Sequence, residues 1–169
     1  MTDRARTGQD SCLQQVLAEH GPALWRLAGT FEFDRARRED LFQETLVAIW
    51  RALPRLENPA GLKAYVFRIA RNRAMSHIAA EIKAGPTRAP DEQQPAVTNC
   101  PYTDAEQHER HRRLRQAVNG LPLGQREAVT LFLEGFSHAE IAEVLDISEN
   151  NVAVRINRAR TQLASRLSS

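Results

Sequence analysis

One stretch near the C-terminus, SHAEIAEVLDISENNVAVRINRAR from Ser137 to Arg160, limits the possible folds more than any other. Ser137 followed three residues later by Glu140 is a capping-box pattern, in which each side chain satisfies a free backbone N–H at a helix start. Ile141, Ala142 and Leu145, with Val144 beside them, give the short helix that follows one apolar face. The turn Asp146-Ile147-Ser148 comes next, and Ser148 is placed to cap a second helix. That helix sets Val152, Ile156, Ala159 and Leu163 on one side, with Arg155, Arg158 and Arg160 outside it. A short helix, a tight turn and a longer basic helix make the helix-turn-helix pattern. An amphipathic hairpin with a solvated basic face meets the same pattern, so the rest of the chain has to decide.

Charge is segregated along this stretch. From Glu127 to Glu149 the charged residues are Glu127, Glu134, Glu140, Glu143, Asp146 and Glu149, all acidic. Beyond Glu149 they are Arg155, Arg158, Arg160 and Arg166, all basic. A nucleic-acid duplex attracts the second helix and repels the first, so electrostatics selects the second as the reading helix. The whole chain, 169 residues with a formal charge of +2, is too near neutrality to make that argument by itself. Cys12 and Cys100 lie far apart in sequence, with no signal peptide before them, which points to free thiols in a reducing, cytoplasmic setting. No run approaches the roughly 18 consecutive apolar residues of a membrane span.

Read in order, the chain offers helices and connections, with no strand candidate of substance. Met1 to Gln9 is polar and expected to fray; Asp10 or Ser11 can cap a helix through Leu13, Val16 and Leu17. Gly21-Pro22 is expected to interrupt it before Leu24, Trp25, Leu27 and Ala28 resume the pattern, and Phe31 to Asp34 reads as a connection. Arg38 to Leu53 is the strongest helix of the front half, with an apolar stripe of Phe42, Leu46, Ile49, Trp50 and Leu53. Glu39, Asp40, Gln43, Glu44 and Thr45 mark its polar surface, and Pro54 ends it. Asn58 and Pro59 cap and open the next helix, expected to bury Leu62, Val66, Ile69, Ile78 and Ile82 and to carry Arg68, Arg71 and Arg73. Gly85 to Thr103, with four prolines among polar residues, reads as an extended, mobile linker. A helix from Glu109 to Leu121 with Leu114 and Val118 apolar, another from Gln125 to Glu134, and a helix stop at Gly135 lead back to the capping box. The expected fold is all-α: two small helical domains, residues 10–84 and 104–169, joined by the Pro-rich linker 85–103, the second a helix-turn-helix.

Both halves resemble one family, the extracytoplasmic-function (ECF) sigma factors, two-domain initiation factors of bacterial RNA polymerase. DLFQETLVAIWRAL, Asp40 to Leu53, looks like the family's region 2 helix that grips the polymerase clamp. Phe67-Arg68-Ile69-Ala70-Arg71-Asn72 resembles its "IARN" helix, which faces the minus-ten promoter element. LPLGQREAVTLFLEGFSHAEIAEVLDISENNVAVRINRAR looks like region 4, which reads the minus-thirty-five element. The resemblance implies core-polymerase contacts from Asp40, Gln43, Glu44 and Val47, and minus-ten contacts from Lys63, Tyr65, Arg68, Arg71, Asn72 and Arg73. It implies minus-thirty-five contacts from Ser148, Asn150, Asn151, Arg155 and Arg158. Core polymerase, promoter DNA and an anti-sigma factor or similar regulator are the implied partners, with no cofactor and no membrane insertion.

The chain departs from the family where an Asp and then an Arg pair usually follow IARN. Ser76, Ala79 and Ala80 stand there, and Tyr65 replaces the usual Trp. The minus-ten channel would then draw its charge from Lys63, Arg68, Arg71 and Arg73, a stacking face from Tyr65 and hydrogen bonds from Asn72. Two other readings stay open. One is a stand-alone helix-turn-helix regulator, for which the acidic-polar surface from Asp40 to Trp50 has no use. The other is a sigma mimic that occupies an anti-sigma factor, motivated by Ser76, Ala79 and Ala80. Enzymatic chemistry finds no support: His108, His111 and Cys100 do not form a closed four-ligand zinc set. Ser137 is better explained as a cap than as part of a triad with His138 and Asp146.

Overall fold

The computed structural model of the protein describes residues 2–85 and 105–167, with side chains from residue 8 onward in the first stretch and, apart from His111, from residue 109 onward in the second. The linker beyond Gly85, Cys100, and the side chains of His108 and His111 lie outside the described residues. Seven α-helices and no strand occur among those residues, so the fold is all-α. They are α1 (Thr2–Phe31), α2 (Arg35–Ala52), α3 (Leu62–Ala84), α4 (Ala105–Asn119), α5 (Leu123–Leu133), α6 (His138–Leu145) and α7 (Glu149–Leu167). The chain divides into two compact units, considered separately.

In the first unit α1, α2 and α3 each pack against both others. Its core holds Val16, Leu24, Leu27, Leu41, Ile49, Val66 and Phe67, all essentially inaccessible to solvent. Two sequence expectations fail in α1. The helix begins at Thr2, not after a frayed start, and it runs through Gly21-Pro22 without a break. A proline inside a helix costs ~3 kcal/mol or more. Each fully buried Leu or Val is worth about 1.5–3 kcal/mol, and Val16 before Pro22 shares one core with Leu24 and Leu27 after it, so packing wins. Asp10 does not cap a helix; its Oδ1 accepts from Trp50 Nε1 at 2.8 Å, and Gln9 Nε2 donates to the Trp50 carbonyl.

α2 starts earlier than expected because Asp34 caps it, its side chain accepting from Arg37 N at 2.9 Å. Its buried line is Leu41, Thr45 and Ile49, continued by Leu53 just past its end, with Phe42, Leu46 and Trp50 only half-buried beside it. Thr45 was expected on the polar surface; its hydroxyl instead donates to the Leu41 carbonyl at 2.8 Å, which satisfies the one group that would resist burial. Asn58 caps the 3-10 turn Pro59–Gly61 that leads into α3. α3 buries Val66 as expected, but its other buried residues are Ala64, Phe67, Ala70 and Ala74, not the remaining aliphatics. Leu62, Ile69 and Ile78 are half-buried and Ile82 is 77% exposed. Small alanines on α3 let the backbones of α1 and α2 approach, and aliphatic spacing alone does not show that.

A closed ionic group ties α3 to the α1–α2 junction. His77 Nε2 lies 3.2 Å from Glu32 Oε2 and 3.6 Å from Glu81 Oε1. The ligand atoms of Glu32, His77 and Glu81 fall within 4.8 Å of one another, the spacing of a metal site. The Arg37 guanidinium, however, already pairs with both carboxylates and offsets part of their charge.

In the second unit α4 and α5 pack on α7, with Leu121, Val129 and Ala159 clustered and Leu163 against them. Leu114, read as apolar in its helix, is 37% exposed. Arg166, near the end of α7, is anchored: it donates to the Ala117 and Gly120 carbonyls at 3.1 and 3.0 Å, where α4 ends with unpaired acceptors.

Candidate nucleic-acid interface

The helix-turn-helix forms as its sequence dictates. Ser137 N donates to Glu140 Oε2 at 2.7 Å and Glu140 N to Ser137 Oγ at 3.2 Å, the reciprocal bonds of a capping box. Asp146 takes φ 54°, the left-handed turn that a short polar side chain tolerates. Ser148 Oγ accepts from Asn151 N at 3.2 Å and starts α7. Ile141, Val144, Leu145, Val152, Ile156 and Ala159 are buried, which fixes the rotation of both helices.

That rotation sorts the residues of α7. With 3.6 residues per turn, Asn150, Val154, Asn157, Arg158 and Thr161 lie opposite the buried line Val152, Ile156 and Ala159, and all are exposed. Val154 and Asn157 were missed by sequence reasoning, although their spacing from Asn150 and Arg158 carried the signal. Of the expected readers, Asn150 and Arg158 belong to this outward face. Arg155 does not point freely outward: it is on the flank, its Nε donating to Asn151 Oδ1 at 3.3 Å and its Nη1 4.0 Å from Glu127 Oε2 on α5. Arg160 stacks over the Phe132 ring, 5.2 Å from its centroid. On α4, hydrogen bonds from Arg112 and Arg113 hold the Glu109 carboxyl down to about 2, so these two arginines are already paired.

In the first unit the expected residues separate into two surfaces. Asp40, Gln43, Glu44 and Val47 are all exposed and lie within one side of α2, opposite its buried line. On α3, Tyr65, Arg68 and Asn72 follow at i, i+3 and i+7 along the side away from Val66, Phe67 and Ala70. The Arg68 guanidinium stands 5.9 Å from the Tyr65 ring centroid, and the Tyr65 hydroxyl donates to the Ala52 carbonyl at 3.2 Å. Lys63 and Arg71 are half-buried, and exposed Arg73 stands to one side of that line. Ser76, Ala79 and Ala80 extend the exposed side without charge, and the Ser76 hydroxyl bonds back to the Asn72 carbonyl at 3.0 Å. In the loop before α3, Asn58 Oδ1 is occupied by Ala60 N at 3.0 Å, which leaves its NH2 group as a donor.

Comparison with known proteins shows the family. Residues 16–82 match the sigma-70 region 2 family and residues 111–163 the sigma-70 region 4 family. The chain is 27% identical to the RNA polymerase sigma factor NccH of Alcaligenes xylosoxydans xylosoxydans, over 98% of this chain and 92% of that one. It is 29% identical to the ECF sigma factor EcfG of Rhodopseudomonas palustris, over 94% and 86%. Among solved structures, RpoE of Bartonella quintana in complex with the anti-sigma factor NepR aligns with a TM-score of 0.75 at 27% identity, over 92% of this chain and 96% of that one. CnrH in complex with the cytosolic domain of CnrY aligns with a TM-score of 0.68 at 28% identity, over 98% and 93%. With both regions matched in order and relatives spanning nearly its whole length, the chain belongs to the ECF group of sigma-70 factors, the two-domain proteins that direct RNA polymerase to promoters.

Proposed function

We propose that residues 10–84 bind core polymerase and the minus-ten element, that residues 104–169 read the minus-thirty-five element, and that residues 85–103 link them. Asp40, Gln43, Glu44 and Val47 on α2 meet the polymerase. Lys63, Tyr65, Arg68, Arg71, Asn72 and Arg73 hold the melted strand, with Tyr65 and Arg68 acting as one unit because they already stack. On α7, Asn150, Val154, Asn157 and Arg158 face base edges while Ser148, Asn151 and Arg155 set the helix start and its flank. Val154 suits a thymine methyl group, and the Asn residues suit adenine. The observation that carries this reading is the outward face of α7, polar and basic around one valine, directly opposite a fully buried stripe.

The chain works without catalysis of its own, in the cytoplasm with the polymerase; no helix among the described residues is long and apolar enough to cross a membrane. An anti-sigma factor is the expected regulator, since a similar solved sigma factor is held by one. Run-off transcription with purified core polymerase on a genomic promoter library tests the reading. Transcripts from a shared promoter sequence are the expected result. Core binding without transcripts would favour the sigma mimic, and no core binding would overturn the working sigma factor.

A further inference from the structure

Arg155 sits in a seat built by α5. Glu127, in the middle of α5, is buried with its side chain 3% exposed, yet carries a carboxylate 4.0 Å from Arg155 Nη1. One turn earlier is Gly124, and a Cβ there would stand 2.9 Å from Nη1 and 3.2 Å from Cζ of the same guanidinium. The absent side chain at Gly124 is therefore space that Arg155 fills. From α7 itself, Asn151 Oδ1 takes Arg155 Nε at 3.3 Å, and Asn151 N is in turn held by Ser148 Oγ. The guanidinium is held on three sides by groups from two helices, and the Arg155 side chain remains 28% exposed.

A flexible arginine supplies charge, whereas a seated one supplies charge at a fixed place. Contacts to the phosphate backbone fix the register of a reading helix without carrying sequence information themselves. We propose that Gly124 and Glu127 are positioning residues for promoter recognition: they fix Arg155 as a preset backbone contact at the flank of α7, so that the outward face meets the bases in one register. The proposal rests on the reading of α7 as the helix that docks on the minus-thirty-five element.

The test uses holoenzyme, the full chain with core polymerase, on a promoter obtained by run-off selection, with its upstream element intact or scrambled. Gly124→Ala pushes the guanidinium out sterically and leaves every charge in place. Glu127→Gln removes the buried charge at constant shape. Each should lower the preference for the intact element by about fivefold, the low end for a base-edge contact weakened when the register loosens. Neither should lower affinity for the scrambled promoter or flatten the salt dependence, because Arg155 keeps its charge. Arg155→Ala should lower the preference and also flatten the salt slope by about one unit. In the Arg155→Ala background, Gly124→Ala and Glu127→Gln should have no further effect. Alanine favours helix over glycine, so Gly124→Ala should melt no earlier than the parent, which separates positioning from loss of fold. Equal losses with and without Arg155 would overturn the proposal, as would an unchanged preference in both α5 variants while Arg155→Ala lowers it. If Arg155→Ala itself leaves preference and salt slope unchanged, the DNA role of this residue fails first.

Discussion

α3 and α7 are helices of 23 and 19 residues that carry much of the chain's positive charge, and they carry it differently. In α7 the buried residues form one narrow line, so the exposed residues form one coherent face with Asn150, Val154, Asn157 and Arg158 in it. In α3 the core wraps further round the helix, through Ala64, Val66, Phe67, Ala70 and Ala74, and the basic groups are scattered. Arg68 leans on Tyr65, Lys63 and Arg71 are half-buried, and Arg73 stands apart. A rigid duplex needs a coherent face, because its groove presents all its contacts at once. A single strand bends to reach scattered contacts but gains fewer fixed ones. With Ser76, Ala79 and Ala80 uncharged on α3, promoter recognition by this protein should lean on α7.

The comparison breaks first if the two helices are not equally well anchored. Phe67→Ala in α3 and Ile156→Ala in α7, both in fully buried positions, should each cost about 2–5 kcal/mol of stability. Urea unfolding followed by circular dichroism measures both. A loss below about 1 kcal/mol at one of them would mean that its helix is loosely seated and that the outward face derived from its rotation is wrong.

A smaller effect separates the reading faces. Arg158→Ala should weaken binding to the intact upstream element by about 1–3 kcal/mol, whereas Arg73→Ala should change minus-ten strand binding by less than that. Fluorescence anisotropy of holoenzyme with duplex and forked promoter probes gives both numbers. A larger loss at Arg73 would reverse the ranking of the two helices.

The contrast can also be reduced by design. Ala79→Arg with Ala80→Arg adds two exposed charges to α3, and two single-strand phosphate contacts should steepen the salt dependence by up to about 1.4 units. Open-complex formation should become faster and less dependent on the upstream element, as permanganate footprinting would record. No gain in melting, with upstream mutations harmless in both proteins, would show that the missing charges do not limit this promoter interaction.

The smallest effect concerns Arg166, basic yet held against the end of α4. Arg166→Ala should lower stability by about 1 kcal/mol through its two bonds to backbone carbonyls and leave the salt slope of DNA binding unchanged. A flatter slope at unchanged melting temperature would place it on the DNA instead.

Local sequence by itself determined the helix-turn-helix. Capping box, left-handed turn residue and second cap act within a few residues of one another, so Ser137, Glu140, Asp146 and Ser148 could be read directly. The buried line of α7 was legible for the same reason, since Val152, Ile156 and Ala159 recur at the helical period. Tertiary structure decided what depends on a partner helix. Pro22 stays inside α1 because the residues around it share a core with α2 and α3. Thr45 is buried because packing against α1 and α3 covers its side of α2, its hydroxyl being satisfied within its own helix, and α3 packs through alanines, not through its exposed Ile82. Arg155, read from sequence together with Arg158 as an outward contact, is set apart by Gly124 and Glu127, about thirty residues earlier. Periodicity states which side of a helix is apolar, but the neighbour that meets each flank, and therefore which charge is held and which is free, is set by packing between helices distant in sequence.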